Sequence, residues 1–326
     1  MKVAVLYPTQ IGPWGGGNQF IKAIQKKFKE AGMLTDIASA DIVLFNSFDC
    51  IEEVVKIKKT YPKKIFVHRI DGPMKLYNND KDLRDLLVYH ACNELADGVI
   101  FQSEWSKKEN LKNGLPLSPQ NTVITNAPDP EIFFTLDKTK DDSKKIRIIS
   151  TSWSNNPKKG FAEYLWLDQN LDFNQYDYYF AGRSAVDFKN IINLGKLDSH
   201  ALANELRKSD VYITCSQKDP CSNSLLEAQA CGLVTLALND GGHPELVKNH
   251  EFLFNHASEI PTKLALIKKE LSRLKNENTK PSLDETFKKY VIFLNTVKSK
   301  NKKVNLPLFK LKNWWIHFKI KLANKL

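Results

Sequence analysis

The sequence predicts an α/β protein made of two doubly wound halves, each a parallel sheet with helices on its faces. Three observations carry this expectation. Short apolar strands alternate with helices of ten to fifteen residues, the pattern of parallel strands joined by helical crossovers. At 326 residues the chain is too long for one ordinary domain of this kind and short for three. Residues 137–145 (DKTKDDSKK) are polar, charged and without periodicity, and they separate two alternating sets.

In the first set, residues 2–7 read as a buried strand. The run Gly15-Gly16-Gly17 follows, then a helix with Phe20, Ile24 and Phe28 on one stripe. Residues 41–46 and 64–70 are strands around a helix at 51–59. Leu83, Leu86, Leu87 and Leu95 mark a helix before Asp97-Gly98, and 99–102 and 122–125 are further strands. The second set runs strand 146–151, helix 160–171, strand 176–181, helix 199–208, strand 211–215, helix 224–231 and strand 234–238. Two halves that each open on a strand imply two Rossmann-like domains facing a cleft. Ligands would bind at the carboxyl ends of the strands. The expected boundaries are a first domain at 1–137, a linker at 138–145, a second domain at 146–280, a packing helix at 281–304 and a basic amphipathic tail at 305–326.

The hydrophobic fraction of 42% and charged fraction of 26% are those of a soluble globular protein. No signal peptide is expected ahead of the first strand, and no apolar run approaches membrane-spanning length. The five cysteines are odd in number and lack CxxC or zinc spacing, so reduced thiols in a cytoplasmic protein are expected. No metal-ligand cluster is legible, and no metal or cofactor is expected. The formal net charge is +11, and no acidic residue follows Glu285, whereas eleven lysines do. The body is therefore close to neutral, and the tail is the basic part.

In that tail Leu308, Leu311, Trp315, Phe318 and Leu322 recur at 3-4-3-4 spacing. Lys312 and Lys319 flank one side of the stripe, and Lys310, Lys321 and Lys325 the other. The pattern suits contact with an anionic membrane surface by residues 305–326, at the inner face of the membrane. The competing expectation is a terminal helix that packs back on the domains. Ile316 and Ile320 lie off the stripe. Nucleic acid is not an expected partner, since the aromatic stripe is helical and the neutral body offers no stacking sheet.

The most informative segment is Asp219-Pro220-Cys221-Ser222-Asn223-Ser224-Leu225-Leu226-Glu227, continued by Gly241-Gly242-His243-Pro244-Glu245. A strand that ends in a polar loop and restarts as a helix presents backbone N–H groups to phosphates. A carboxylate just inside such a helix can accept hydrogen bonds from a ribose diol, which is the place of Glu227. It would also complement the helix dipole. Asp219 doubles as an Asp-Pro turn former, and Ser222, Asn223 and Ser224 as N-caps.

With these residues the chain resembles the retaining GT-B glycosyltransferases of family 4 over nearly its whole length, the final tail excepted. The family's Glu-x7-Glu is matched by Asp219 and Glu227, and its Gly-Gly-x-x-Glu by residues 241–245. Its Lys-Gly is matched by Lys159-Gly160, and its glycine-rich acceptor-side loop by Gly15, Gly16 and Gly17. The strand-end histidine region is matched by residues 67–72 (VHRIDG), and the segment closing the first domain by 126–133 (NAPDPEIF).

The resemblance implies a nucleotide-sugar donor, UDP-linked, and a glycan or lipid-linked acceptor in surface polysaccharide or glycolipid assembly. It implies transfer without a metal, Lys159 on the β-phosphate, and Asp219 on the hydroxyls of the transferred sugar. Glu227 would hold the ribose, and Ser222, Asn223 and Ser224 would donate to the donor substrate. Arg183 is the candidate to replace an arginine that family members carry before Lys-Gly and this chain lacks. Asp219 is one methylene shorter than the family's Glu. His68 is a candidate sugar contact, with a core histidine as its alternative, and Asp71 is the candidate general base. Rival expectations are a GT-B epimerase or phosphorylase, and a non-catalytic nucleotide- or glycan-binding module.

Overall fold

A computed structural model describes residues 1–8, 15–136, 145–277, 280–300 and 305–323. Most of the expected linker, residues 137–144, lies outside them. Packing divides the described chain into two units: residues 1–8, 21–125, 284–300 and 305–323, and residues 15–20 with 126–136, 145–277 and 280–283. The boundary thus falls at Thr125/Asn126, ahead of the polar stretch that marked it in the sequence. The C-terminal helices belong to the first unit.

The first unit runs β1 (Val3–Leu6), α1 (Gly15–Glu30, of which residues 15–20 belong to the second unit), β2 (Ile42–Asn46), α2 (Ile51–Thr60), β3 (Ile65–Ile70), α3 (Met74–Tyr77), α4 (Arg84–Leu95), β4 (Gly98–Phe101), α5 (Glu104–Lys112) and β5 (Asn121–Val123). The strands pair in parallel in the order β1-β2-β3-β4-β5. Every residue of β2 (IVLFN) is buried. A strand covered on both faces reads as a continuous apolar run, which is why this one was legible. A bridge from Val3 to Leu34 adds a pairing on the far edge of β1.

The second unit runs β6 (Ile146–Ser152), α6 (Phe161–Asn170), β7 (Tyr176–Gly182), β8 (Ile192–Gly195), α7 (Ser199–Lys208), β9 (Val211–Thr214), α8 (Asn223–Ala230), β10 (Val234–Leu238), α9 (His243–Leu246), β11 (Leu253–Phe254) and α10 (Ile260–Glu277). Its sheet order is β11-β10-β9-β6-β7-β8, the 3-2-1-4-5-6 arrangement of a dinucleotide-binding sheet, with the switch between β6 and β9. The core is filled by Ile148, Phe180, Tyr212, Ile213, Leu225 and Leu236. β8 was not expected from the sequence. It is an edge strand of sequence INLG with Ile192 half out in solvent, so it has no buried run to announce it.

Two helices return to the first unit. On α11 (Leu283–Thr296), Phe287 meets Phe28 edge-to-face at 5.2 Å, and Asp284 pairs with Lys27 at 2.8 Å. α12 (Leu306–Ala323) packs on α4 through Phe309 and Ile316, both buried with Leu87, Ala91 and Leu95. The Phe309 ring stacks on His90 at 4.3 Å. Ile320 is partly buried against the same cluster. The two isoleucines that fell off the sequence stripe thus belong to a second stripe, one that faces the core.

Phe309→Ala is expected to cost about 3 kcal/mol of stability, in the range for a buried Phe. Amide exchange across residues 306–323 should speed up with it. Unchanged protection of α12 would contradict the packing described here.

Candidate functional site

The second unit gathers most of the expected residues where β6 and β9 diverge. After β6, Asn156 accepts the Lys158 N–H on its Oδ1 at 2.8 Å and caps the turn Pro157–Lys159. Gly160 follows with φ +81°, and a Cβ there would lie 2.4 Å from the Cys215 carbonyl oxygen. Only glycine fits, because the conformation is left-handed and the backbone behind it is fixed. The Gln217 N–H donates to the Lys158 carbonyl at 2.7 Å, tying this loop to the one after β9. The result is an ion pair, Lys159 Nζ to Asp219 Oδ2 at 3.5 Å, with both side chains mostly buried.

Asp219 is held from both sides. Its Oδ1 accepts the Cys221 N–H at 3.2 Å, the short Asp-Pro turn the sequence allowed. Its carbonyl accepts the Gly242 N–H at 2.8 Å. Gly241, at φ +64°, sits so close that a Cβ would come within 2.4 Å of that carbonyl. Lys218 adopts φ +54° and is anchored by Asp240, which takes its N–H at 3.1 Å and its Nζ at 2.7 Å. His243, the third residue of Gly-Gly-x-x-Glu, is fully buried and donates from Nδ1 to the Leu238 carbonyl at 2.9 Å. Burial holds its pKa below the ordinary value, and Lys159 adds to the lowering while Asp219 opposes it. Its Nε2 has no partner among the described residues. The sequence quoted this histidine without assigning it a place in the site. Its signal was the glycine pair in front of it.

α8 begins beside this pair. Its N-cap Ser222 makes no side-chain cap bond. Its hydroxyl lies instead 3.3 Å from that of Ser224, which accepts from the Tyr212 hydroxyl at 2.8 Å, and Tyr212 in turn lies 3.0 Å from Thr151. With the serine hydroxyls engaged in the interior, the first-turn N–H groups are left without intrahelical acceptors. Asn223 accepts from Asn126 Nδ2 at 3.0 Å, and a Cβ on Gly16 would lie 2.3 Å from the Asn223 Cβ. Gly16 is therefore packed against the start of α8, within the second unit. Gly15 and Gly17 open α1 with it, and a Cβ on Gly17 would meet nothing within 4 Å.

Glu227 is the fifth residue of α8 and is 7% exposed. It lines a small pocket with Gly16, Phe20, Pro128, Phe133 and Asn223. Burial alone pushes its carboxyl up to about 8. Its carboxylate has no hydrogen-bond partner among the described residues. A desolvated carboxyl without a counter-charge is expensive unless a ligand hydroxyl pays into it. Arg183 is exposed after β7, and the structure does not join its side chain to the Lys159–Asp219 pair. Its N–H donates to the Ser152 carbonyl at 2.8 Å, beside Gly182 at φ +119°.

In the first unit the polar groups also collect at the carboxyl ends of the strands. Arg69 is buried and donates from Nη1 to Asn46 at 2.5 Å and to Asp71 at 3.1 Å. Gln102 also donates to Asp71 Oδ1. The Asp71 carbonyl accepts from Ser106 at 3.1 Å and Asn110 at 2.8 Å. Nearby, burial raises the pKa of both Asp49 and Tyr7, with Asp71 adding to each. None of Tyr7, Asn46, Asp49, Arg69 or Gln102 was assigned a part from sequence. They come from four different strand ends, and only pairing joins them. His68 is not at a strand end. It lies inside β3, fully buried, stacked on Phe45 at 4.2 Å and donating from Nε2 to the Ser47 carbonyl at 2.6 Å. Burial lowers its pKa to about 4, so it is a neutral core ring.

Among the described residues no group of three or more His, Cys, Asp or Glu side chains could hold a metal ion.

Residues 188–291 match the family described as Glycosyl transferases group 1. No curated protein sequence matches the chain. The chain is similar in structure to HepE of Anabaena, solved in complex with UDP. The TM-score is 0.68 at 13% identity, covering 91% of this chain and 100% of that one. For HepE solved with UDP-glucose the TM-score is 0.62 at 14% identity, covering 98% and 99%. Sucrose-phosphate synthase from Thermosynechococcus elongatus gives 0.58 at 14% identity, covering 94% and 79%. The fold is GT-B: two Rossmann-like domains with parallel sheets, followed by C-terminal helices.

Two outcomes follow from the geometry. Gly160→Ala should destabilise the protein by about 2 kcal/mol or more, from left-handed strain and a clash with backbone, read by denaturant unfolding. The Glu227 carboxyl is raised on folding, so its contribution to stability is whole below its ordinary value of 4.5 and is lost as pH rises towards 8. Glu227→Gln should therefore flatten the fall in the unfolding midpoint over that window. A profile identical to the wild type would refute the buried, unpaired state of Glu227.

Proposed function

We propose that the chain is a retaining, metal-independent glycosyltransferase of family 4 type. It would act in the cytoplasm on a UDP-linked sugar and a glycan or lipid-linked acceptor, in surface polysaccharide or glycolipid assembly. The observation that carries this reading is the meeting of Lys159, Asp219 and the start of α8 at one switch point, with the unpaired Glu227 one turn further on. The match to group 1 glycosyl transferases and the UDP held by the structurally similar HepE support the same reading.

Each group has a physical task. The ammonium of Lys159 now faces Asp219; a diphosphate would compete for it and spread its charge over Lys159 and the first-turn N–H groups of α8. As the sugar departs, negative charge grows on the β-phosphate, and preorganised donors stabilise it. Glu227 would accept from the ribose hydroxyls, which replace the water it lost on folding. Asp219, released from Lys159, would turn its carboxylate to a hydroxyl of the transferred sugar. Retention would follow from departure and attack on one face of the sugar, the leaving phosphate taking the acceptor's proton. Asp71, neutralised by Arg69, is then left as a positioning group for the loop after β3.

A second reading, a nucleotide-binding module without turnover, is favoured by one observation. Asp219 is engaged by Lys159 and by its own turn, and is shorter than the family's Glu.

A thermal-shift panel of UDP, GDP, ADP and CMP with their sugar conjugates tests both readings. At about 100 times its Kd a nucleotide should stabilise the fold by roughly 2.7 kcal/mol. UDP is expected to do so, more strongly as pH rises towards 8, since the ionised Glu227 binds the diol. No shift with any nucleotide overturns the donor site. A shift without turnover selects the binding module. For the enzyme, Lys159→Met should lower kcat by about 10²–10³-fold, the cost of one transition-state donor. Activity should persist in chelator, and the product anomer read by NMR should match the donor's.

A further inference from the structure

The surface of α12 that does not touch the protein has a composition that a water-facing helix does not need. Phe309, Asn313 and Ile316 are buried on one side of the helix, and Ile320 is partly buried with them. At about 3.6 residues per turn these four positions form one narrow stripe. Leu308, Leu311, Trp314, Trp315, Phe318 and Leu322 point the other way, with Leu311 and Trp314 each 62% exposed, Trp315 48% and Phe318 46%. Exposed apolar residues scattered singly need no explanation, but six on one face of one helix do. The aromatic rings are ordered among themselves: Trp314 and Trp315 each stack on Phe318 at 5.8 Å, and Lys319 Nζ lies 5.4 Å from the Trp315 ring.

Charge decides what covers this face. Lys310 and Lys321 fall on one flank of the apolar band, Lys312 and Lys319 on the other, between the band and the buried stripe. No acidic residue follows Glu285 anywhere in the chain. A second protein surface would need to supply both an apolar groove and acidic rims. An anionic bilayer supplies both at once, with acyl chains for the aromatic band and headgroups for the lysines, whose stems can snorkel up to them. No helix among the described residues is long and apolar enough to cross a membrane, so the contact is one that lies in the interface.

We propose that the outward face of α12 seats this protein on an anionic lipid bilayer, with Trp314, Trp315 and Phe318 inserted at the headgroup level and Lys310, Lys312, Lys319 and Lys321 on the anionic headgroups. The buried stripe of the same helix keeps it docked on α4, so the first unit is held at the surface by a rigid element. Nothing in this proposal depends on the donor site. Because Phe309 and Ile316 are core residues, deleting the helix would expose the hydrophobic surface beneath it. Substitutions on the outward face leave that packing intact.

The test is co-sedimentation of the full chain with vesicles of phosphatidylcholine alone and of phosphatidylcholine with phosphatidylglycerol. Two variants are compared with the wild type: W314A/W315A/F318A and K310Q/K312Q/K319Q/K321Q. Circular dichroism and the unfolding midpoint check that both remain folded. The wild type should bind the anionic vesicles, at least about tenfold more weakly to the neutral ones, and less at high salt. Each variant should lose about tenfold or more in vesicle affinity. Absence of wild-type binding to anionic vesicles overturns the proposal. So does equal binding to neutral vesicles, or equal binding by both variants. If the wild type self-associates and the aromatic variant is monomeric, with no vesicle binding by either, the face belongs to a second copy of the chain and the proposal fails.

Discussion

Parallel strand pairing is the constraint on which the site depends. In a parallel sheet every strand ends at the same edge, so every loop that leaves a strand in the second unit brings its polar residues to one line. The order of the strands then selects a place on that line. Crossovers run outward on either side of β6 and β9, and the loops that follow these two strands carry Lys159 and Asp219. The two glycines that bear closest on them, Gly160 and Gly241, are there because backbone passes within 2.4 Å of where a side chain would begin. The loops are not permissive by composition alone; they are packed against each other.

The electrostatics of the second unit are left incomplete. Glu227 is buried with no counter-charge, His243 is buried with an unused nitrogen, and Lys159 rests on Asp219 in a pair of 3.5 Å rather than a close one. A fold optimised only for stability would pair or replace such groups. Buried polar groups that cost stability are the ones a bound molecule can satisfy. In the first unit Arg69, Asp71, Asn46 and Gln102 bond to one another, and His68 is sealed into the core with its Nδ1 unpartnered among the described residues. Its polar groups hold the loop after β3 in place.

The C-terminal helix shows how two stripes share one helix. A period of 3.6 leaves room for a narrow buried face and a wide outward one, and in α12 both are apolar. Read as a sequence, the two overlap and look like one imperfect amphipathic helix. Packing on α4 separates them. It assigns Phe309, Ile316 and Ile320 to the core and leaves the tryptophans, Phe318 and the leucines outside.

From sequence alone the two-domain α/β class was legible, because buried parallel strands such as residues 42–46 are continuous apolar runs between amphipathic helices. The pattern of Lys159-Gly160, Asp219, Glu227 and Gly241-Gly242 was legible too, since each part sits in one of three strand-loop-helix units, β6–α6, β9–α8 and β10–α9. What tertiary structure decided is everything that joins residues from different strands. It moved Gly16 and Asn126 to the start of α8, placed His68 inside a strand, and gathered Tyr7, Asn46, Asp49, Arg69 and Gln102 around Asp71. Local sequence records propensity, spacing and turn chemistry. Which strand ends become neighbours depends on sheet order and register, and those are set by packing across the whole chain.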